Sequence, residues 1–169
     1  LTPDQQKKMV DAQVFLYGHD TPASTSKGHQ ILSAKARELF DKGFVDISDL
    51  DIIDPIYQTE KNLEYWETRL GNTKYTISHF FAWLKDNADT FCDTLQDEEL
   101  NLKFWRWMKK NSLESHLSEM PAFPVLLKDG SIDNSSDAVY FSDEYMNGTG
   151  IEHLVQEYDD QALFISPDY

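Results

Sequence analysis

The sequence predicts an α+β fold, mostly helical with a few short strands. Three observations predict it. Apolar residues recur at helical spacing, most clearly Ile77, Phe80, Phe81 and Leu84 at i, i+3, i+4 and i+7. Short β-branched and aromatic runs stand between the helical stretches. Glycines and prolines close one element before the next begins, as at Gly18, Gly43, Gly71 and Pro121.

The first helix is expected to open at a capping box, with Thr2 as N-cap, Pro3 at the first helical position and Gln5 returning the bond. Met9, Ala12, Val14 and Leu16 supply its apolar positions, and Gly18 ends it. A polar loop covers 20–28. A second helix is expected over 29–42, with Ile31, Leu32, Leu39 and Phe40 on its apolar side and Gly43 as its stop. Phe44-Val45-Asp46-Ile47 reads as a strand. The acidic stretch 46–54 leads to Pro55. A third helix spans 60–70, capped by Thr59 and closed by Gly71, with Leu63, Trp66 and Leu70 on one face. The helix around Ile77 to Leu84 follows, then one over 97–110 ending in Lys109 and Lys110, which suit a C-terminus.

Beyond Pro121 the character changes. Two prolines make 121–127 extended, and Lys128-Asp129-Gly130-Ser131 is a turn. The stretch 138–141 is a strand candidate. Thr149-Gly150-Ile151-Glu152 reads as a capping box opening a helix with Ile151, Leu154, Val155 and Tyr158. Leu163-Phe164-Ile165 is the last strand candidate. Helix, loop, strand and serine recur in 31–48 and 151–166, which suggests a long-period repeat. Val139-Tyr140-Phe141-Ser142-Asp143-Glu144-Tyr145 is echoed by Phe164-Ile165-Ser166-Pro167-Asp168-Tyr169.

The chain, residues 1–169, is expected to form one module, with sub-parts 1–48 (helices plus strand), 49–120 (helical) and 121–169 (mixed strand and helix). It starts at Leu1 rather than Met and is expected to be an excerpt of a larger cytoplasmic protein. No apolar run approaches the length of a membrane span. The net charge of −15 argues against direct contact with nucleic-acid phosphates. It suits a basic protein partner, mimicry of DNA charge, or simply a solvated surface.

Tyr65-Trp66-Glu67-Thr68-Arg69-Leu70-Gly71 resembles the aromatic-Trp, spacer, Leu-Gly pattern found after the ATPase domain of sacsin-like proteins, large chains with an Hsp90-like, GHKL-type ATPase domain. Met120-Pro121-Ala122-Phe123-Pro124, then Asp129-Gly130 and Val139-Tyr140-Phe141-Ser142-Asp143, is similar to another stretch of that group. The closing Phe164 to Tyr169 resembles the strand ending that precedes the next such element. The similarity covers 44–169. It implies a segment outside the ATPase domain, because the seven glycines form no nucleotide-binding cluster and no family catalytic residue carries over.

No catalytic, cofactor-binding or metal-ligating residue is assigned. His19, His29, His79, His116 and His153 fall at no metal-ligand spacing, and read as core or solvated histidines. A calcium loop from Asp49 would place Asp54 where the turn glycine belongs, although Glu60 fits the last ligand position. The acidic groups Asp97-Glu98-Glu99, Asp143-Glu144 and Asp159-Asp160 read as solvated faces and helix-start charges. Cys92 reads as a buried thiol, and Asn134 and Asn147 head chance glycosylation triplets. Trp66 and Trp105 are expected in the core. Trp83 and Trp107 lie off the main stripe, so one of them is expected to be exposed and to mark a partner surface.

The expected function is a non-catalytic scaffold or protein-interaction module of a sacsin-like, chaperone-like multidomain protein. Its expected partners are other segments of the parent chain, a protein client and further copies of itself, with neither direct nucleic-acid binding nor a membrane. The alternatives are a stand-alone acidic binding protein, such as an immunity protein or DNA mimic, and an enzyme whose groups converge only in the fold.

Overall fold

The computed structural model describes residues 2–10, 13–16, 22–24, 29–45, 51–68, 72–134 and 139–169. It is mostly helical, α+β, with short two-stranded ladders. The chain divides into two compact units, 1–80 and 81–169.

In the first unit, α1 (Pro3–Val10) opens as the sequence requires. Thr2 N–H donates to Gln5 Oε1 at 2.9 Å, and Gln5 N–H donates to Thr2 Oγ1 at 3.3 Å. The helix stops at Val10 and does not reach Gly18. β1 (Gln13–Phe15) pairs antiparallel with β2 (Pro22–Ser24), inside the expected loop. The reason lies in the spacing: Val14 and Leu16 are two apart, the period of a strand, and Leu16 is buried while neighbouring Phe15 is exposed.

The helix expected over 29–42 is shorter as well. Ile31 and Leu32 form β3 (Ile31–Leu32), parallel to β4 (Lys74–Tyr75), and both side chains are buried. Their backbone bonds close a ladder, with Ile31 N–H donating to the Thr73 carbonyl and Ser33 N–H to that of Tyr75. Ser33 then caps α2 (Ala34–Asp41), its hydroxyl accepting from Ala36 N–H at 3.3 Å. Gly43, at φ +73°, lets the chain leave the helix. Phe44 and Val45 are buried but make no ladder, while Asp46 and Ile47 lie outside the described residues.

Asp54 caps a 3-10 turn, Pro55–Tyr57. Buried Gln58 braces the unit, its Oε1 accepting from Leu32 N–H and its Nε2 donating to the Ile53 carbonyl. α3 (Glu60–Thr68) carries Trp66 into a core with Leu16, Ile31 and Ile53, flanked by Leu63. Leu70 and Gly71 lie outside the described residues. α4 (Ile77–Asp86), in which the division falls, buries Ile77, Phe80, Phe81 and Leu84 as their spacing predicts.

The second unit begins with α5 (Ala88–Thr94), which no sequence signal announced; Asn87 makes no side-chain cap there. Phe91 and Cys92 are buried on it. Asp97 caps α6 (Glu98–Lys110), its carboxylate accepting from Leu100 N–H at 2.8 Å. α6 buries Asn101, Phe104, Trp107 and Met108. Trp107 is core, 3 % exposed, and Trp83 is half-buried, so neither is the exposed tryptophan that the sequence suggested; Trp105, expected in the core, is half-buried as well. Trp107 and Phe104 share a face at i+3, a stripe that also takes in Met108.

A 3-10 segment (Glu114–Glu119) leads to β5 (Val125–Leu126), which pairs with β6 (Ile132–Asp133) across the expected Asp129-Gly130 turn, Gly130 at φ +86°. Leu127 and Tyr140 bridge to Ile165 and Phe164. α7 (Ile151–Tyr158) follows Gly150, whose φ is +73°, with no side-chain cap. The Thr149 capping box does not form, because the Glu152 carboxylate is taken by Lys128 and by Asp143 N–H. Asp143 returns the bond, its carboxylate accepting from Glu152 N–H at 3.2 Å, so the helix start is capped from nine positions upstream.

The long repeat is not reproduced. Ile31 and Leu32 are strand, whereas Ile151 begins a helix; α2 buries Ala36, Leu39 and Phe40, and α7 buries no residue. The two segments of the shorter echo lie side by side. Tyr140 pairs in parallel with Phe164, and the serines that follow, Ser142 and Ser166, are both buried.

Candidate functional site

The C-terminal end of the chain is tied to α6 by one buried polar hub. Asn101 is fully buried, and its Nδ2 donates to the Leu95 carbonyl at 3.2 Å and the Pro124 carbonyl at 2.8 Å. Its Oδ1 accepts from the Tyr169 hydroxyl at 2.7 Å, and that hydroxyl accepts in turn from Leu126 N–H. Burial pushes the Tyr169 phenol up to about 12. Tyr145, the matching tyrosine of the echo, donates its hydroxyl to the Ser166 carbonyl at 2.7 Å. Each tyrosine thus locks its own strand ending to a neighbouring segment.

These ties open a groove of about 470 Å³ inside the second unit. Its aromatic walls come from two pairs. Trp105 stacks beside Phe123 with ring centroids 6.4 Å apart, and the Trp105 indole N–H donates to the Pro124 carbonyl at 2.8 Å. Phe141 meets Tyr145 edge to face at 5.7 Å. Arg106 and Lys109, one turn apart on α6, bring positive charge to the lining, and Asp133 brings one carboxylate. Arg106 donates to the Asp168 carbonyl, and neither cation is in an ion pair among the described residues.

Exposed apolar side chains concentrate in one stretch of the second unit. Of the large hydrophobics exposed among the described residues, all but Phe15 and Ile56 fall between Tyr140 and Tyr158. Phe141 is 61 % exposed and Tyr158 is 91 % exposed. An ion-pair cluster holds this region together: Lys128 Nζ lies 2.9 Å from Glu144 and 2.8 Å from Glu152. Lys128 holds the Glu144 carboxyl below its ordinary range, and the two glutamates raise the Lys128 ammonium.

The residues weighed in the sequence take structural positions. His79 Nδ1 accepts from Thr76 N–H at the start of α4, and His116 stacks on Phe81 with centroids 4.3 Å apart while meeting Glu119 at 2.6 Å. His153 is exposed beside Glu157, His29 is buried, and His19 lies outside the described residues. Asp97 and Asp143 serve as helix caps, whereas Asp159 and Asp160 are exposed. Cys92 is buried and its thiol is pushed up, first by burial and then by Asp89 and Asp93. Asn134 accepts from Gln96, and Asn147 sits at φ +57° in a turn. Asp46 and Asp49 of the weighed calcium loop lie outside the described residues. Among those described, no three His, Cys, Asp or Glu side chains gather as a metal site would require.

In the first unit three buried polar atoms, His29 Nε2, Asn72 Oδ1 and the Tyr75 hydroxyl, have no partner among the described residues. Residues 25–28 and 69–71, which adjoin His29 and Asn72 in sequence, lie outside them. No described helix is long and apolar enough to cross a membrane.

The sequence did not foresee a groove: it placed Trp105 in the core and Lys109 at a helix end, and named Phe123, Phe141, Tyr145 and Tyr169 only within short motifs and the echo. Comparison with protein-family models, with characterised proteins and with solved structures gives no match.

Proposed function

We propose that this chain is a non-catalytic protein-interaction module of a sacsin-like, Hsp90-related multidomain protein, working in the cytoplasm as part of a chaperone-like scaffold. The observation that carries the reading is the aromatic groove in the second unit, whose lining includes the exposed rings of Phe141 and Tyr145. Exposed apolar surface gathered in one place marks an interaction site more often than a bare surface. The polar groups of the groove support a binding role over a chemical one. The hydroxyls of Tyr145 and Tyr169 and the indole N–H of Trp105 are all spent on backbone or amide partners. Among the described residues of the groove, no nucleophile stands beside a base. The resemblance of 44–169 supplies the family context.

The test is binding of a permanently unfolded polypeptide, such as fluorescently labelled, reduced and carboxymethylated lactalbumin, followed by anisotropy. The chain should bind saturably, and Phe141→Asp, a substitution at an exposed site, should weaken binding at least about tenfold, or about 1.4 kcal/mol. No saturable binding, or equal binding by the variant, would refute the proposal.

A further inference from the structure

We infer that α7 of one copy of this chain docks into the aromatic groove of a second copy. The inference rests on reading the groove as a protein-docking surface, and it names the occupant.

The occupant's chemistry is on the exposed side of α7. Leu154 and Tyr158 are 55 % and 91 % exposed, and their i, i+4 spacing puts them on one face. Glu157, Asp159 and Asp160 surround the end of that face with negative charge, all exposed. α7 is therefore an amphipathic acidic helix whose Ile151 and Val155 are half-buried while Leu154 and Tyr158 face outward. An apolar helix face laid into a groove is a recurrent recognition mode.

The groove is complementary in both respects. Its aromatic pairs offer faces and edges to a tyrosine ring, and its volume accommodates a tyrosine and a leucine side chain together. Among the described residues Arg106 and Lys109 form no ion pair, and in a chain of net charge −15 these two cations outnumber the one carboxylate of the lining, Asp133. Carboxylates at the end of α7 would meet these cations. The net charge sets a limit. Two copies repel at long range, and salt screens that repulsion beyond about 8 Å at physiological strength while leaving contact pairs. Association is therefore weak, with a dissociation constant on the order of 10–100 micromolar, and it tightens as salt rises from very low to physiological. A helix in a groove elsewhere on the partner is a head-to-tail contact, which closes into a ring or extends into a chain of copies.

The experiment is sedimentation velocity over a wide concentration range. The wild-type chain should gain mass with concentration. Tyr158→Ser removes the anchor and Lys109→Glu reverses a groove charge; both sites are exposed, and each variant should stay folded by circular dichroism and sediment as a monomer. Mixing the two should restore a complex, because one variant keeps an intact groove and the other an intact helix. A wild-type chain that stays monomeric throughout, association that survives both substitutions, or a mixture that remains monomeric would overturn the inference. Unfolded-polypeptide binding separates the two proposals. A monomeric wild type that still binds the probe through Phe141 removes α7 docking alone; loss of both removes the groove as a docking surface.

Discussion

Asn101→Leu should be among the most damaging single substitutions in the second unit. Asn101 is fully buried, and its amide makes three hydrogen bonds, to the carbonyls of Leu95 and Pro124 and from the Tyr169 hydroxyl. Leucine is similar in size, so little cavity forms and the cost is polar. The Pro124 carbonyl keeps the indole N–H of Trp105. The Leu95 carbonyl and the Tyr169 hydroxyl proton lose their amide partner. A buried polar group stripped of its partner costs about 1–3 kcal/mol, so two such groups give about 2–6 kcal/mol. Tyr169→Phe removes the same hydroxyl from the other side and strands Leu126 N–H as well. The double variant should cost less than the sum of the singles by about 1–2 kcal/mol, because the Asn101–Tyr169 bond is lost only once. Urea unfolding followed by tryptophan fluorescence suits the measurement, since Trp83, Trp105 and Trp107 all lie in the second unit. A single-variant loss under about 1 kcal/mol, or strict additivity, would refute the hub.

Three further outcomes follow from the packing and the titrating groups. Phe104→Ala, at a fully buried ring that meets Phe91 edge to face at 5.0 Å, should cost about 3–5 kcal/mol in chemical denaturation. Asp143→Ala removes the carboxylate that caps α7 from upstream and should cost about 1 kcal/mol, seen as faster amide exchange confined to α7. Stability should fall between pH 10 and 12: the Tyr169 phenol ionises near its ordinary 10.0 in the unfolded chain but near 12 in the fold, so the unfolded state releases its proton first. Below pH 10 the contribution is fully present, and Tyr169→Phe should flatten the alkaline slope of the urea midpoint.

Trp66, Phe80, Leu84 and Phe104, each on the apolar side of a helix, show what periodicity can and cannot deliver. All four are buried, as the i, i+3 and i+4 spacing requires. Trp66 packs with Leu16, Ile31 and Ile53 in the first unit, and Phe104 packs with Phe91 and Trp107 in the second. Spacing tells which side of a helix is apolar and says nothing about what faces it. Ile31 and Leu32 failed for a related reason. Two adjacent apolar residues before a helix fit its first turn or a short parallel strand, and the partner that decided it, Lys74-Tyr75, lies far along the chain.

Local chemistry was legible in the sequence. The Thr2–Gln5 box, the Asp97 cap, the Gly43 stop, the Asp129-Gly130 turn and the apolar stripe of α4 each depend on side chains within a few positions of one another. The sequence also determined the acidic charge and the mostly helical α+β class. Tertiary structure alone decided the rest. It gave Glu152 to Asp143 and Lys128 instead of Thr149, brought Tyr169 to Asn101, and gathered Arg106, Phe123, Phe141 and Tyr145 around one groove. Those partners are brought together by chain closure over loops, whose entropic cost grows only slowly with length. Sequence distance therefore carries little information about which of them meet, and a polar side chain goes to the partner that the surrounding packing brings within hydrogen-bond reach.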